Sequence, residues 1–224
     1  MIDIQRSVAS LVLDHSECAP VLQHHGIDYC CRGHMSFEAA CRERGLDPVE
    51  VARELVDAIA RRTGDDGPDP RTLSTPALVG HIVAHHHEYL REAMPFVSGL
   101  AAKVASVHGA SDPRLVELHA LVTQLFAALE PHLADEEEKL FPALMSQSPE
   151  RPVLARDLAA MLEEHRAVGA LLQAMRAAAD DYAWPEWACN SYRALFAELE
   201  ALEGDVLRHV HLENHVLAPR FAEV

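Results

Sequence analysis

An all-α protein is expected from this sequence: an up-down-up-down four-helix bundle preceded by a small helical domain. Three observations predict it. Alanine and leucine dominate, while aromatic residues make up 5% of the 224 residues, a composition that favours helix. Apolar residues recur at alternating steps of three and four along four long segments, the period of a helix that buries one face. Each segment opens on a helix-start signal, and short connections between helices make antiparallel neighbours the default.

The N-terminal domain is expected over residues 1–62. Ser16 can cap a helix that ends near Gly26, and Ser36 can cap "FEAACRER", which stops at Gly45. Asp47-Pro48 opens a further helix, with the proline at the first helical position. Between the first two lies the turn-rich "GIDYCCRGH". Residues 63–75 fall in a run of Gly, Pro and Asp without apolar periodicity and are expected to be a linker. The bundle is expected over 76–224. Its helices run from Thr75-Pro76 to about Val107, from Asp112-Pro113 to about Met145, from near Pro152 to about Asp181, and from Trp184-Pro185 to before Pro219.

The formal charge of -16 disfavours nucleic acid and anionic membranes as partners. No stretch is apolar enough for a membrane span. The first residues lack a basic region followed by a long apolar run, so no signal peptide is expected. With an odd cysteine count of 5, these features point to a cytoplasmic protein with free thiols.

Polar residues interrupt all four core stripes. Helix one reads Val79, Val83, His87, Leu90, Met94 and Val97; helix two reads Leu125, Leu129, His132, Glu136 and Leu140. Helix three reads Leu158, Met161, His165, Val168 and Leu172, and helix four reads Leu202, Val206, His209, Glu213 and Val216. His86 fits helix one as well as His87 does, through Ile82 and Leu90. A buried carboxylate costs several kcal/mol unless it pairs, protonates or binds metal. His132 and Glu136, like His209 and Glu213, stand one helical turn apart on the same face. Imidazole with carboxylate suits iron, manganese or zinc. Four histidines, two bridging glutamates and a bridging oxide or hydroxide would leave about one open position on each of two six-coordinate metals. The order His-x-x-x-Glu, with no Glu-x-x-His anywhere, argues against the ferritin-like class.

The stretches "HLADEEEKLFP", "EEHRAVGALL" and "HVHLENHVLAPR" resemble the haemerythrin-like bundle of the di-iron proteins that repair iron-sulfur clusters. "GIDYCCRGH" resembles the vicinal-cysteine motif of that family's N-terminal domain. The resemblance covers nearly the whole chain. It implies a centre of two non-haem irons, bridged by oxide or hydroxide and by carboxylates, with ligands at His87, His132, Glu136, His165, His209 and Glu213. The spacing to Pro95 favours His87 over His86. His108 matches a histidine common in the family and is expected beside the ligands or on a pathway to them, rather than among them. Pro131, directly before His132, is expected to kink helix two.

Cys30 and Cys31 are candidates for redox or iron exchange, or for linking two subunits as a homodimer. Activation would require a thiol pKa lowered by Arg32 or His34. Cys18 and Cys41 are expected to be buried packing residues. His211 and His215 fall off the stripe and are expected at the surface. The acidic run "DEEEK" reads as a solvated face with Glu136 its inward exception. The resemblance implies repair or protection of clusters damaged by oxidative or nitrosative stress, with iron delivered to iron-sulfur client proteins. The alternatives are a haemerythrin-like sensor or store for O₂ or NO, and a di-iron NO or peroxide reductase. Whether the protein is an enzyme is left open by the sequence.

Overall fold

The computed structural model describes residues 2–61, 69–148 and 150–221, and among them no strand forms. The chain divides into two compact units. One runs to Ser74 and takes in the C-terminal segment from Leu207; the other is Thr75–Val206.

In the first unit, α1 (Val8–Asp14) opens on Ser7, whose side chain accepts from the amide of Ser10. Helix α2 (Cys18–His24) starts after Glu17, which makes no side-chain cap, so the expected start at Ser16 is displaced by one residue. Helix α3 (Phe37–Glu43) is capped by Ser36 as expected. Helix α4 (Pro48–Ala60) is capped by Asp47, with proline at its start. Leu11, Leu22, Tyr29, Phe37 and Leu55 form the core of this unit, and Cys18 and Cys41 are fully buried. Burial pushes the Cys18 thiol up to about 12 and that of Cys41 to about 11, so both pack as protonated, inert side chains. Of the expected linker, residues 63–68 lie outside the described residues, and Pro70–Thr72 form a 3₁₀ turn.

In the second unit, α5 (Thr75–Ile82) leads through a π-helical turn, Val83–His87, into α6 (Glu88–His108). Helix α7 (Arg114–Asp135) continues through a second π turn, Glu136–Leu140, into α8 (Phe141–Met145). Helix α9 spans Arg151–Ala178. Helix α10 spans Asn190–Leu212 and ends in a third π turn, Glu213–Leu217. Helix α7 packs against both α6 and α9. Helix α7 is not interrupted at Pro131. That residue lies on the exposed face, where water can satisfy the carbonyl it leaves unpaired.

A buried ion pair joins α9 to α10. The Arg176 guanidinium donates to both carboxylate oxygens of Glu203, at 3.0 and 2.5 Å, and its carbon lies 5.0 Å from the Tyr182 ring centroid. Removing one partner strands the other charge. Arg176→Met is therefore expected to cost about 3–5 kcal/mol, measured by urea unfolding, while Arg176→Met with Glu203→Leu recovers most of that loss.

Candidate metal centre

Each π turn abuts a residue expected to bind metal: the first ends at His87, and the others begin at Glu136 and Glu213. A π turn inserts one residue and shifts the register of the helix beyond it, a device that recurs at functional sites.

Within the second unit, three imidazoles converge on one carboxylate. His87 Nε2 lies 3.4 Å from Glu136 Oε2, while His132 Nε2 lies 3.4 Å and His165 Nε2 3.9 Å from Glu136 Oε1. His132 Nε2 and His165 Nε2 are 3.2 Å apart. All four side chains are buried. The second carboxylate-imidazole pair lies in the C-terminal segment of the first unit. There, His209 Nε2 is 3.1 Å from Glu213 Oε1, and both residues are fully buried.

The chemistry of these donors can be tested against a metal. His87 Nδ1 lies 2.7 Å from Glu137, and His132 Nδ1 lies 2.8 Å from Glu164. An ionised carboxylate only accepts, so Nδ1 carries a hydrogen in each ring, and a neutral ring then presents its Nε2 lone pair. These lone pairs face another acceptor, the Glu136 carboxylate. Acceptors directed at one another repel unless a proton or a metal cation lies between them, and a metal serves all of these contacts at once. The spacing also fits: two ligands at about 2.1 Å on one metal, near right angles, stand about 3 Å apart. Glu136 turns one oxygen to His87 and the other to His132 and His165. The residues fit a histidine-carboxylate metal centre.

Residues 79–221, more than half of the chain, match the hemerythrin HHE cation binding domain, and residues 4–59 match a domain of unknown function, ScdA_N. The chain is 33% identical to the iron-sulfur cluster repair protein ScdA of Staphylococcus haemolyticus, over 99% of this chain and 100% of that one. The chain belongs to the iron-sulfur cluster repair family. It is also 30% identical to the repair protein YtfE of an Enterobacter species, over 95% of this chain and 94% of that one. A probable iron-sulfur cluster repair protein of Haemophilus influenzae is 26% identical over 96% of both chains. The HHE match spans all six expected ligands.

Several sequence expectations for this family member need revision. The choice of His87 over His86 needs none: His87 directs Nε2 at Glu136, and His86 Nδ1 pairs with Asp205 at 2.9 Å. His108 is not beside the ligands. It ends α6, and the 21 residues of that helix separate it from His87 by about 31 Å. Its Nε2 lies 3.2 Å from Cys189 Sγ. Glu137 is a second inward residue of the acidic run. Burial raises its carboxyl, but Arg91, at 2.8 Å, and His87 hold it below the usual range.

His211 and His215 are not surface histidines. His211 is buried, and its Nδ1–H donates to the Tyr29 carbonyl at 3.1 Å. Burial pushes its imidazole down to about 4, so it is neutral at pH 7. His215 Nε2–H donates to the Cys30 carbonyl at 2.7 Å, and Asn214 donates to the same oxygen at 3.2 Å. The vicinal-cysteine segment thus covers a helix face that the stripe pattern assigns to solvent. A single apolar stripe reports only one partner, and His, Asn and His on the opposite face carry no apolar signal.

Neither Arg32 nor His34 is placed to activate the Cys30 thiol. Arg32 donates to both carboxylate oxygens of Glu43, and His34 is exposed. Cys30 and Cys31 Sγ lie 3.5 Å apart. The hydrogen bond with Cys31, burial and the Asp28 carboxylate push the Cys30 thiol well up.

Proposed function

We propose that this protein repairs or protects iron-sulfur clusters damaged by oxidative or nitrosative stress, by holding two irons and releasing iron to damaged client proteins. The observation that carries this reading is the convergence of three imidazole Nε2 atoms on both oxygens of the buried Glu136 carboxylate. When bound, iron supplies a centre whose affinity changes with its oxidation state.

The chain's residues set how that iron is held. His87, His132, His165 and His209 are the nitrogen ligands, and Glu136 and Glu213 the bridging carboxylates. Glu137 and Glu164 fix the imidazole tautomers from outside. A cavity of about 280 Å³ reaches His132 and Glu136, and its other charged lining residues are Asp135, Asp157 and Glu164 with Lys139 and Arg156, a net negative set. Its acidic lining would draw a cation through it. Cys30 and Cys31 act as a protected dithiol, available for redox or iron exchange once their segment opens. The names of the relatives support the repair role.

Glu137→Ala is expected to weaken iron binding by about 10–100-fold, as loss of a group supporting a metal ligand does, read by competition with a chelator. The overall proposal is tested by iron analysis of untagged protein together with restoration of activity to a cluster-damaged dehydratase. Two irons per chain and restored activity support it. Protein without iron that restores nothing rejects it. Reversible oxygenation without iron transfer would identify a sensor or store instead, and sustained turnover of NO or peroxide a reductase.

A further inference from the structure

Three more histidines precede His87 on the same helical stretch: His81, His85 and His86. They grade from solvent to core. His85 is exposed, His81 half-buried, His86 buried, and His87 fully buried. The π turn Val83–His87 presents His85, His86 and His87 in succession. The ring centroids of His81 and His85 are 4.3 Å apart, and those of His81 and His86 6.0 Å apart.

The tautomer of His85 is fixed. Its Nδ1 lies 3.0 Å from the His81 carbonyl oxygen. A carbonyl only accepts, so Nδ1 carries a hydrogen and Nε2 is the nitrogen left to face a metal. Metal-binding histidines are held in this way, the second ring nitrogen donating to a backbone carbonyl or a carboxylate. His86 repeats the pattern through Asp205. Ring stacking alone would not require these fixed tautomers.

We propose that His81 and His85 bind ferrous iron at the surface, as a station from which His86 passes it to and from His87. The inference rests on the reading of this protein as an iron carrier. Transfer proceeds by ligand exchange, one imidazole nitrogen replacing another on the ion, with no change in oxidation state.

The test uses the full chain carrying its resident iron, titrated with Fe²⁺ under anaerobic conditions. One further ion should bind per chain. His81→Gln with His85→Gln should weaken that ion by at least the roughly tenfold expected on loss of a supporting group. The resident iron should remain, and its transfer to a chelator should slow by a similar factor. His119→Gln, at a partly exposed histidine on α7, should change neither. Unchanged binding and transfer in the double variant overturn the station while leaving the dinuclear centre intact. A chain that retains no resident iron overturns the dinuclear reading instead. Zn²⁺ stoichiometry then still reads the surface site: one ion fewer in the double variant supports it, and equal stoichiometry overturns it.

Discussion

Glu136→Leu is expected to abolish iron retention, lowering the content below one ion per chain, while the apoprotein stays at least as stable as the wild type. Glu136 is the carboxylate on which His87, His132 and His165 converge, at 3.4, 3.4 and 3.9 Å. In the proposed centre its removal would take the bridging charge from both metal positions at once, whereas loss of one histidine would take a single donor from one of them. The effect on the apoprotein has the opposite sign. A buried carboxylate is costly without its cation, and replacing buried ionic groups with apolar ones of similar volume is often neutral or stabilising by about 1–4 kcal/mol. Iron should reverse the order of stability. A ligand at 1,000 times its Kd stabilises by about 4 kcal/mol, and only the wild type would gain this. Thermal unfolding of both proteins with and without Fe²⁺, beside metal analysis, checks it. Full iron content in the variant, or an equal rise in Tm for both proteins, would sink Glu136 as the bridge.

The sequence discloses the helices and the inward polar residues for one physical reason: burial on a helix has a period. Histidine or glutamate at a stripe position stands out because leucine is expected there, so His132, Glu136, His165, His209 and Glu213 are all visible. Helix starts at Ser36 and Asp47 are legible because capping is local chemistry. The residues around the centre are not periodic. Glu164 precedes His165 and Glu137 follows Glu136, and their side chains leave the stripe to reach imidazoles on other helices. The choice between His86 and His87 likewise depends on the π turn at Val83–His87, which shifts the register by one residue at the point where the two histidines compete. Nothing in the spacing marks that extra residue. His211 and His215 are hidden for another reason: their partners are the backbone oxygens of Tyr29 and Cys30, which no side-chain pattern encodes.

Gly33→Ala is expected to destabilise the N-terminal unit by about 3 kcal/mol, the upper part of the range for overpacking a close-fitted site. A Cβ at residue 33 would lie 2.3 Å from the Tyr29 carbonyl oxygen, 2.6 Å from His215 Nε2 and 2.7 Å from Ala9 Cβ. None of these can yield cheaply. The Tyr29 carbonyl accepts from His211, and His215 donates to the Cys30 carbonyl. The Asp28 carboxylate accepts from the amides of Cys30 and Cys31 at 3.0 and 2.8 Å, and Ala9 donates to the Gly33 carbonyl at 2.9 Å. The new methyl group must therefore break a contact that holds the cysteine segment, instead of displacing a mobile side chain. Cys30 is 2% exposed in the closed arrangement, so its reaction with a thiol reagent under native conditions reports opening directly. The variant should react faster and unfold at lower urea. Asn214 and His215 follow Glu213 in a single π turn, so displacing His215 should also speed iron loss to a chelator. Wild-type stability and thiol reactivity in Gly33→Ala would show that the segment is not anchored through Tyr29 and His215. Faster thiol reaction without faster iron loss would place the anchor correctly and reject its coupling to Glu213.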